Sequence, residues 1–420
     1  MNARLRPPGA SPAGSISAAR LVAAAAGTPF LDGWSTASAA FLIVLVPGLD
    51  AFGTGLLTSL YYVGFAIGST VVGRLSDRIG RRPLFLAAMA AVALLSLAEL
   101  LLPASISLAA LLVMRAGTGF VIGGDHPVGQ ALVSELTPET GRSRALTCLM
   151  TAWYVGAISA VLLLLAALDQ GLPWQSALIA EAVIAGALLL LRLGVPESPL
   201  WARTPKTPAP VRRFRSPAVH DRLANSAKIR RSFLFCAAFW LCQSIPATAL
   251  MLYGARLLSA ISGEAEGFVG ALLLYGCFLL GVLPAAWRPL ARRPRSVLIG
   301  TFIVMAGALA LIGATFLRAS ANGAAGGDSL AASVAFILFA LAYGLQTPLD
   351  FVIPNRLFPD RLRARLVGML TTISRAGTLG IAFAFPMLER LAPSGILMLA
   401  GAALLALGAL LSARCMPREA

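Results

Sequence analysis

Four of the ionisable residues within the long apolar stretches of this sequence are the candidates for chemistry, because a charged group is costly there. They are Asp32, Arg115, Asp125 and Arg375. An ionised side chain at the centre of a lipid bilayer costs at least ~2.5–3.5 kcal/mol on insertion scales. A carboxylate in such a place can bind and release protons as its surroundings change, and a guanidinium can hold a carboxylate or phosphate through two hydrogen bonds. We therefore expect Asp32 and Asp125 to carry protons and Arg375 to bind an anionic group.

Each of these assignments has a structural alternative. The Asp32 carboxylate is alternatively held in a permanent ion pair with Arg115 or Arg375. Asp125 is alternatively a polar packing contact between helices. Arg375 alternatively pairs with an acid such as Asp350.

Three further titratable residues in these stretches are given no transport role. On a helix, His126 points about 100° away from Asp125, and we expect it to be structural although an imidazole titrates near neutral pH. We expect Glu99 near one membrane interface. Glu181 lies in a peripheral span and is left without an assigned role.

The composition is that of a membrane protein. The chain has 420 residues, of which 58% are apolar and 12% are charged, whereas soluble domains carry about 25% charged residues. Apolar stretches long enough to cross a bilayer as a helix, ~20 residues each, recur twelve times. The sequence contains no nucleotide-binding Walker loop, no zinc-ligand pair and no catalytic-triad spacing. We therefore predict an all-α integral membrane protein with twelve transmembrane helices and without enzyme activity, cofactor or metal.

Positive charge is distributed over the loops in a pattern that predicts the orientation. Lys and Arg number 34 against 18 Asp and Glu, a formal net charge of +16. Most of them lie in alternate connections, above all in the Pro- and Arg-rich stretch 196–232. Because positively charged loops stay on the cytoplasmic side, we expect a multi-pass protein of the cytoplasmic (inner) membrane with both termini in the cytoplasm. The orientation of the chain in the lipid bilayer thus accounts for its net positive charge, which therefore does not indicate a nucleic-acid partner.

The chain contains an internal repeat. A shift of 221 residues aligns 123–159 with 344–380 without a gap and gives nine identities, including Gly123 with Gly344 and Arg142 with Arg363. We therefore predict two pseudo-symmetric six-helix bundles that enclose a site near the bilayer midplane and open it to either side in turn. The predicted divisions are a cytoplasmic tail 1–20, a first bundle 21–195, a cytoplasmic linker 196–232, a second bundle 233–411 and a cytoplasmic tail 412–420.

A charged loop between the second and third spans carries a family resemblance. It reads Gly73-Arg-Leu-Ser-Asp77-Arg-Ile-Gly80-Arg81-Arg82-Pro83. The glycines allow a tight turn, Asp77 can cap the next helix, and the two adjacent arginines anchor the loop at an anionic membrane surface. This loop resembles, almost residue for residue, the signature loop of the major facilitator superfamily.

Three further segments narrow the resemblance to one branch of that superfamily. They are Phe30-Leu31-Asp32-Gly33-Trp34 in span 1, Gly123-Gly124-Asp125-His126-Pro127 followed by Glu135 and Arg142 at span 4, and Pro196-Glu197-Ser198-Pro199 after span 6. Together they are similar to sugar porters and metabolite:proton symporters, which carry sugars, aromatic acids, nicotinate or phosphate. The resemblance implies proton coupling through Asp32, an anion-binding role for Arg375, and tuning of the Asp32 proton affinity by Arg115.

The resemblance also implies two larger residue sets. The cytoplasmic gate, which concerns conformational switching, comprises Asp77, Arg81, Arg82, Glu135, Arg142 and Glu197. The substrate-binding set comprises Arg375, Arg115, Tyr154, Trp153, Gln243, Gln346 and Tyr343, whose aromatic and amide groups suit a flat or a sugar-like substrate. Three positions depart from the family pattern. Arg288 and Arg356 stand in the second half where acids are usual, and Ser35 replaces a second acid of span 1.

These observations predict a secondary active transporter that moves a small metabolite, an organic anion, across the membrane together with protons by alternating access. Two alternatives of the same fold stay open. One is a passive facilitator of a sugar-like solute, and the other is a non-transporting nutrient sensor, which the missing second-half gate acids suggest. The expected partners are a small-molecule substrate, protons and the lipid bilayer, and a monomer is expected as the family default.

Overall fold

The computed structural model describes residues 17–45, 51–101, 108–172, 175–202, 227–262, 267–287, 293–321 and 329–417. Within these ranges every regular element is a helix, which confirms the all-α prediction. The helices are α1 (Ala18–Leu45), α2 (Ala51–Ile79), α3 (Arg81–Leu100), α4 (Leu108–Leu136), α5 (Glu139–Asp169), α6 (Gln175–Arg192), α7 (Pro199–Ala202), α8 (Ala227–Ser262), α9 (Gly267–Trp287), α10 (Pro294–Ala321), α11 (Ser329–Gln346), α12 (Pro348–Leu357), α13 (Asp360–Leu391) and α14 (Ser394–Cys415).

These helices form twelve spans in two bundles of six. The short α7 lies in the linker and crosses nothing. α11 and α12 together make one span that is interrupted at Thr347, because Pro348 has no N–H to donate to the preceding turn. Among the described residues, seven spans are by themselves both long enough and apolar enough to cross a bilayer.

Three helices extend beyond the predicted bundle boundaries. α1 begins at Ala18, within the predicted tail 1–20, and α8 begins at Ala227, within the predicted linker 196–232. α14 ends at Cys415, within the predicted tail 412–420. The prediction followed apolar runs of membrane thickness, whereas a helix continues into polar sequence beyond the hydrocarbon layer. The exposed side chains of Lys228, Arg230 and Arg231 in the first turns of α8 show this extension.

Both bundles pack their second and fourth spans in the same way. A Cβ atom on Gly123 of α4 would lie 2.3 Å from the backbone oxygen of Phe65 in α2, and one on Gly344 of α11 would lie 2.2 Å from the backbone oxygen of Phe278 in α9. Gly123 and Gly344 are equivalent in the internal repeat, so the lack of a side chain permits the same close helix approach twice. Large apolar side chains such as Leu94, which is 66% exposed, form the outer surface of the bundles.

The bundles meet along two helix pairs. α2 packs against α13, and α5 packs against α9. Because twelve spans separate the start of α1 from the end of α14, both lie at the same end of the bundles, which we name the terminal side. The charged residues predicted to do chemistry lie between these two helix pairs or in the interior of the first bundle.

Candidate transport site and gate

Asp32 of α1 is the centre of the site and accepts hydrogen bonds from both bundles. Its Oδ2 atom accepts from Arg375 Nη2 at 2.9 Å and from Trp153 Nε1 at 2.9 Å. Its Oδ1 atom accepts from the Tyr61 hydroxyl at 2.8 Å, and His126 Nε2 lies 3.4 Å from Oδ2. Asp32 has no exposed surface. One buried carboxylate therefore joins α2, α4 and α5 of the first bundle to α13 of the second.

Arg375 is the accessible member of this ion pair. Its side chain is 21% exposed, whereas that of Asp32 is 0% exposed. The guanidinium carbon lies 4.3 Å from the ring centroid of Phe65 and 5.4 Å from that of Tyr62, so aromatic faces of α2 hold the cation from the first bundle. A negatively charged molecule between the bundles would therefore meet Arg375 before it met Asp32.

Asp125 is held in a different ion pair, inside the first bundle. Its Oδ2 lies 2.7 Å from Arg192 Nη1 and accepts a hydrogen bond from the Thr28 hydroxyl. Arg192 also donates to Thr28 Oγ1 at 2.6 Å and stacks 3.6 Å above the Phe85 ring. This cluster clamps α1, α3, α4 and α6 together. It is the helix-packing contact expected as the alternative role of Asp125, and Arg192 was not among the residues predicted from sequence.

Arg115 does not touch Asp32, although a direct pair was one of the sequence alternatives. Arg115 Nη2 donates to the backbone oxygen of Ser35 at 2.7 Å, and the Tyr61 ring, 5.3 Å from its guanidinium carbon, lies between it and the carboxylate. The Ser35 hydroxyl donates to Glu181 Oε1 at 2.6 Å. Glu181, which had no role from sequence, is thus attached to span 1 through Ser35.

The second bundle contributes a chain of neutral side chains that ends at one carboxyl group. The Thr301 hydroxyl donates to Gln346 Oε1 at 2.7 Å, and the Gln346 amide donates to Gln243 Oε1. Gln243 Nε2 then donates to Asp350 Oδ1 at 2.6 Å. Asp350 is therefore bound to Gln243 and not to Arg375, so the suggested Arg375–Asp350 pair is not the one that the structure contains.

Two aromatic residues complete the centre. The Tyr154 hydroxyl, fully buried on α5, lies 3.0 Å from Thr347 Oγ1 at the break between α11 and α12. Tyr343 packs against Phe278, with ring centroids 5.0 Å apart. Tyr154 and Arg375 are equivalent in the internal repeat, so equivalent positions of the two bundles each make a polar contact with the opposite bundle.

Four of the six predicted gate residues, namely Arg81, Arg82, Glu135 and Glu197, form a compact cluster on the terminal side. Arg81 pairs with Glu135, and the Ser198 hydroxyl donates to Glu135. The Glu197 carboxylate accepts a hydrogen bond from the backbone N–H of Arg81 at 3.1 Å. The backbone N–H of Arg82 lies 3.2 Å from Glu197 Oε1 and 3.1 Å from Oε2 and donates to both. The start of α3 is thereby tied to the end of α4 and to the linker.

A glycine permits this arrangement. Gly80 has φ of 110°, a conformation that other residues rarely adopt, and a Cβ atom there would lie 2.7 Å from Glu197 Oε2. Arg142 is half-buried near the start of α5, and no described hydrogen bond or ion pair joins it to this cluster. The side chain of Asp77 and all of Arg288 lie outside the described residues. Arg356 is exposed on α12.

Further contacts join the two bundles between the centre and the terminal side. The Ser134 hydroxyl donates to Asn355 Oδ1 at 2.9 Å. These residues are 221 positions apart, so this contact lies at the pseudo-two-fold axis. Thr372 Oγ1 lies 2.6 Å from Thr70 Oγ1 and 3.1 Å from Ser69 Oγ. The bundles are therefore in contact on the terminal side of the Asp32–Arg375 pair.

Comparison with known proteins agrees with this architecture. A family model described as the Major Facilitator Superfamily matches residues 25–384. YaaU of Escherichia coli (strain K12), whose name assigns it provisionally to metabolite transport, is 30% identical over 418 residues, covering 95% of this chain and 91% of its own. The 4-hydroxybenzoate transporter PcaK of Pseudomonas putida is 25% identical over 379 residues, covering 83% of this chain and 81% of its own.

The fold is similar to that of a solved transporter. The proton:xylose symporter XylE from E. coli, bound to 6-bromo-6-deoxy-D-glucose, superposes with a TM-score of 0.78 at 15% identity, covering 95% of this chain and 96% of that chain. At this identity the likeness establishes the twelve-helix, two-bundle fold. The sequence relatives are transporters and not enzymes. This chain therefore belongs to the Major Facilitator Superfamily and is a multi-pass membrane transporter of small metabolites.

Proposed function

We propose that this protein is a secondary active transporter that moves a small organic anion together with protons by alternating access. Its place would be the cytoplasmic membrane, with the terminal side in the cytoplasm. The observation that carries the proposal is the Asp32–Arg375 ion pair. It joins a sealed carboxylate of the first bundle to a partly accessible guanidinium of the second.

The pair links anion binding to proton binding. An anion that binds Arg375 takes the guanidinium away from Asp32, and an unpaired carboxylate buried in this layer is strongly unfavourable. A proton on Asp32 removes that cost, so each of the two ligands favours the binding of the other. The empty transporter and the loaded transporter then carry the same net charge at this site, which is what allows both to change conformation.

His126 supports a proton-accepting role for Asp32. Its Nε2 atom is buried, has no hydrogen-bond partner among the described atoms, and lies 3.4 Å from Asp32 Oδ2. A protonated Asp32 carboxyl would donate to this nitrogen while it still accepts from Tyr61. We propose that His126 stabilises the protonated state of Asp32 in this way.

Alternating access requires the contacts between the bundles to exchange. In the present structure the Ser134–Asn355 and Thr70–Thr372 contacts hold the bundles together on the terminal side. We propose that these contacts separate when the site opens toward the cytoplasm. The Arg81–Glu135 cluster would remain within the first bundle, where it keeps the ends of α3 and α4 and the linker together.

A passive facilitator of a sugar-like solute is the second candidate. The Gln243–Gln346 amide chain favours it, because neutral amides and aromatic faces suit hydroxyl-rich solutes. In that case Asp32 and Arg375 would serve only as a structural pair, and a pH gradient would have no effect on flux.

The experiment is to record solute uptake, together with proton flux from a lumenal pH dye, in proteoliposomes under an imposed pH gradient, because one monovalent anion that moves with one proton carries no net charge. Pools of aromatic carboxylates, aliphatic acids, phosphate, sugars and organic cations are offered to wild type, Asp32→Asn and Arg375→Gln. Matched controls are Asp169→Asn and Arg318→Gln, which change exposed residues at the ends of α5 and α10. Uptake of an anionic pool that the pH gradient drives, that both site variants lose and that both controls keep supports the proposal. Sugar flux that is indifferent to pH and to both site variants would establish the facilitator instead.

A further inference from the structure

Asp350 is a carboxyl group near the centre of the second bundle that the proposed proton exchange does not use. It lies in the first turn of α12 and is only partly buried. Gln243 Nε2 donates to its Oδ1 atom at 2.6 Å. The arrangement around it has two properties, a fixed hydrogen-bond direction and a missing counter-charge, that together point to a ligand.

The hydrogen bonds that reach Asp350 run in one direction. Thr301 donates to Gln346, Gln346 donates to Gln243, and Gln243 donates to the carboxyl group. In each amide the oxygen accepts and the nitrogen donates, so the chain ends at an acceptor. Its members come from α10, α11 and α8, which fixes their positions before any ligand binds. The donors of this chain and the N-terminal end of α12 stabilise a negative charge on Asp350, whereas its burial disfavours that charge.

The lack of a paired cation distinguishes Asp350 from Asp32 and Asp125 of the first bundle. Asp32 pairs with Arg375, and Asp125 pairs with Arg192. Within the described ranges no Lys, Arg or His lies within ion-pair distance of Asp350. The titratable groups in its electrostatic range are the Tyr154 and Tyr343 phenols and the Cys236 thiol, all uncharged at neutral pH. A carboxylate in a membrane interior without a cation is costly, so this position calls for a positive charge from outside the chain.

We infer that Asp350 binds a positively charged group of the substrate, which makes the substrate an organic acid that also carries an ammonium-type cation. The inference rests on the proposed function, in which Arg375 binds the carboxylate of the same molecule. Both residues belong to the second bundle, and the Tyr343 phenol lies within electrostatic range of both. The second bundle thus offers one positive and one negative group to a dipolar molecule, whereas a simple anion would leave Asp350 without a partner.

The test compares pairs of acids that differ only in the cation. The probes are 4-(aminomethyl)benzoate against 4-methylbenzoate, and 4-aminobutanoate against pentanoate. Binding is measured by thermal shift of the purified protein, and transport by solute uptake into proteoliposomes. In wild type we expect the amine-bearing member of at least one pair to bind more tightly by about tenfold or more. Asp350→Asn is expected to remove that preference while binding of the plain acid is kept, and Asp350→Glu to restore part of it.

The outcomes separate this inference from the proposed function. Arg375→Gln is expected to weaken both members of a pair, and Asp169→Asn to change neither. Preference for the plain acid, or a preference for the amine that survives in Asp350→Asn, would overturn the inference and leave proton-coupled anion transport standing. The inference is likewise overturned if Asp350→Asn only changes the pH dependence of plain-acid transport, because Asp350 would then bind a proton. Binding of no acid of either kind would overturn both proposals.

Discussion

The two bundles repeat one packing scheme but hold their polar groups differently. In the first bundle two buried acids are bound to arginines, Asp125 to Arg192 within the bundle and Asp32 to Arg375 across the interface. In the second bundle the polar residues are mainly uncharged amides and hydroxyls in a chain that ends at Asp350.

This difference separates two tasks. An ion pair sealed inside one bundle stabilises that bundle in every conformation. An ion pair that crosses the interface, with one accessible member, is suited to exchange its partner during transport. A neutral amide chain can offer hydrogen bonds to a substrate, and the Asp350 carboxyl group at its end has no described cation beside it. Three sets of substitutions, in order of decreasing energetic cost, test what the two bundles share and how they differ.

The Asp125–Arg192 pair is expected to matter for stability more than any other polar contact described. Asp125→Asn leaves the fully buried Arg192 without its carboxylate, and breaking a buried pair in this way costs about 3–5 kcal/mol. We expect a large loss of folded protein and a lowered melting temperature in detergent. The double variant Asp125→Asn, Arg192→Leu should recover part of the stability because no charge is left unpaired. A single variant that melts like wild type would contradict a structural role for this pair.

The repeated glycine contact is expected to be equally important in both bundles. Gly123→Ala and Gly344→Ala each force a methyl group against a backbone oxygen, and overpacking of this kind costs about 1–3 kcal/mol. Gly300→Ala is the matched control, because a Cβ atom there has nothing within 4 Å. Thermal melting should show two similar decreases and no change in the control. A decrease in only one bundle would show that the packing is not equivalent.

The contact at the pseudo-two-fold axis is expected to have the smallest effect. Ser134→Ala removes the hydrogen bond to Asn355, worth about 0.5–1.5 kcal/mol, and should shift the population toward opening on the terminal side by about two- to tenfold. Spin labels on Arg74→Cys and Arg365→Cys, in a background without the native cysteines, would report the distance between α2 and α13. The control Ser159→Ala loses only a bond within α5. An unchanged distance distribution would show that this contact does not hold the terminal side closed.

The fold could be predicted from sequence because the features that indicate it, long apolar runs and an internal repeat, occur many times or extend over many residues. Twelve apolar runs, each of membrane thickness, gave the number of spans and the all-α class. The 221-residue repeat indicated two related bundles. Helix ends were less predictable, as the start of α8 at Ala227 shows, since a helix that leaves the membrane no longer needs apolar residues.

The residues of the candidate site could be selected from sequence, but the partners of each could not. A charge inside an apolar run identified Asp32, Asp125 and Arg375, but which groups meet depends on the rotation of each helix, which no sequence pattern fixes. Arg192 was not predicted because it is the last residue of a span, and an arginine in that position usually extends its side chain to the membrane surface. The need of Asp125 for a cation was the signal that could have found it. The roles assigned to Arg142 and to the remaining gate residues stay predictions.

The most direct test of coupling between anion and proton is to measure proton uptake when an organic anion binds to purified protein in weakly buffered detergent solution. If the anion and a proton together replace the Asp32–Arg375 pair, wild type should take up about one proton for each anion bound. Asp32→Asn should bind the anion without taking up protons. Anion binding by wild type with no proton uptake, or equal uptake by Asp32→Asn, would contradict proton coupling through this ion pair.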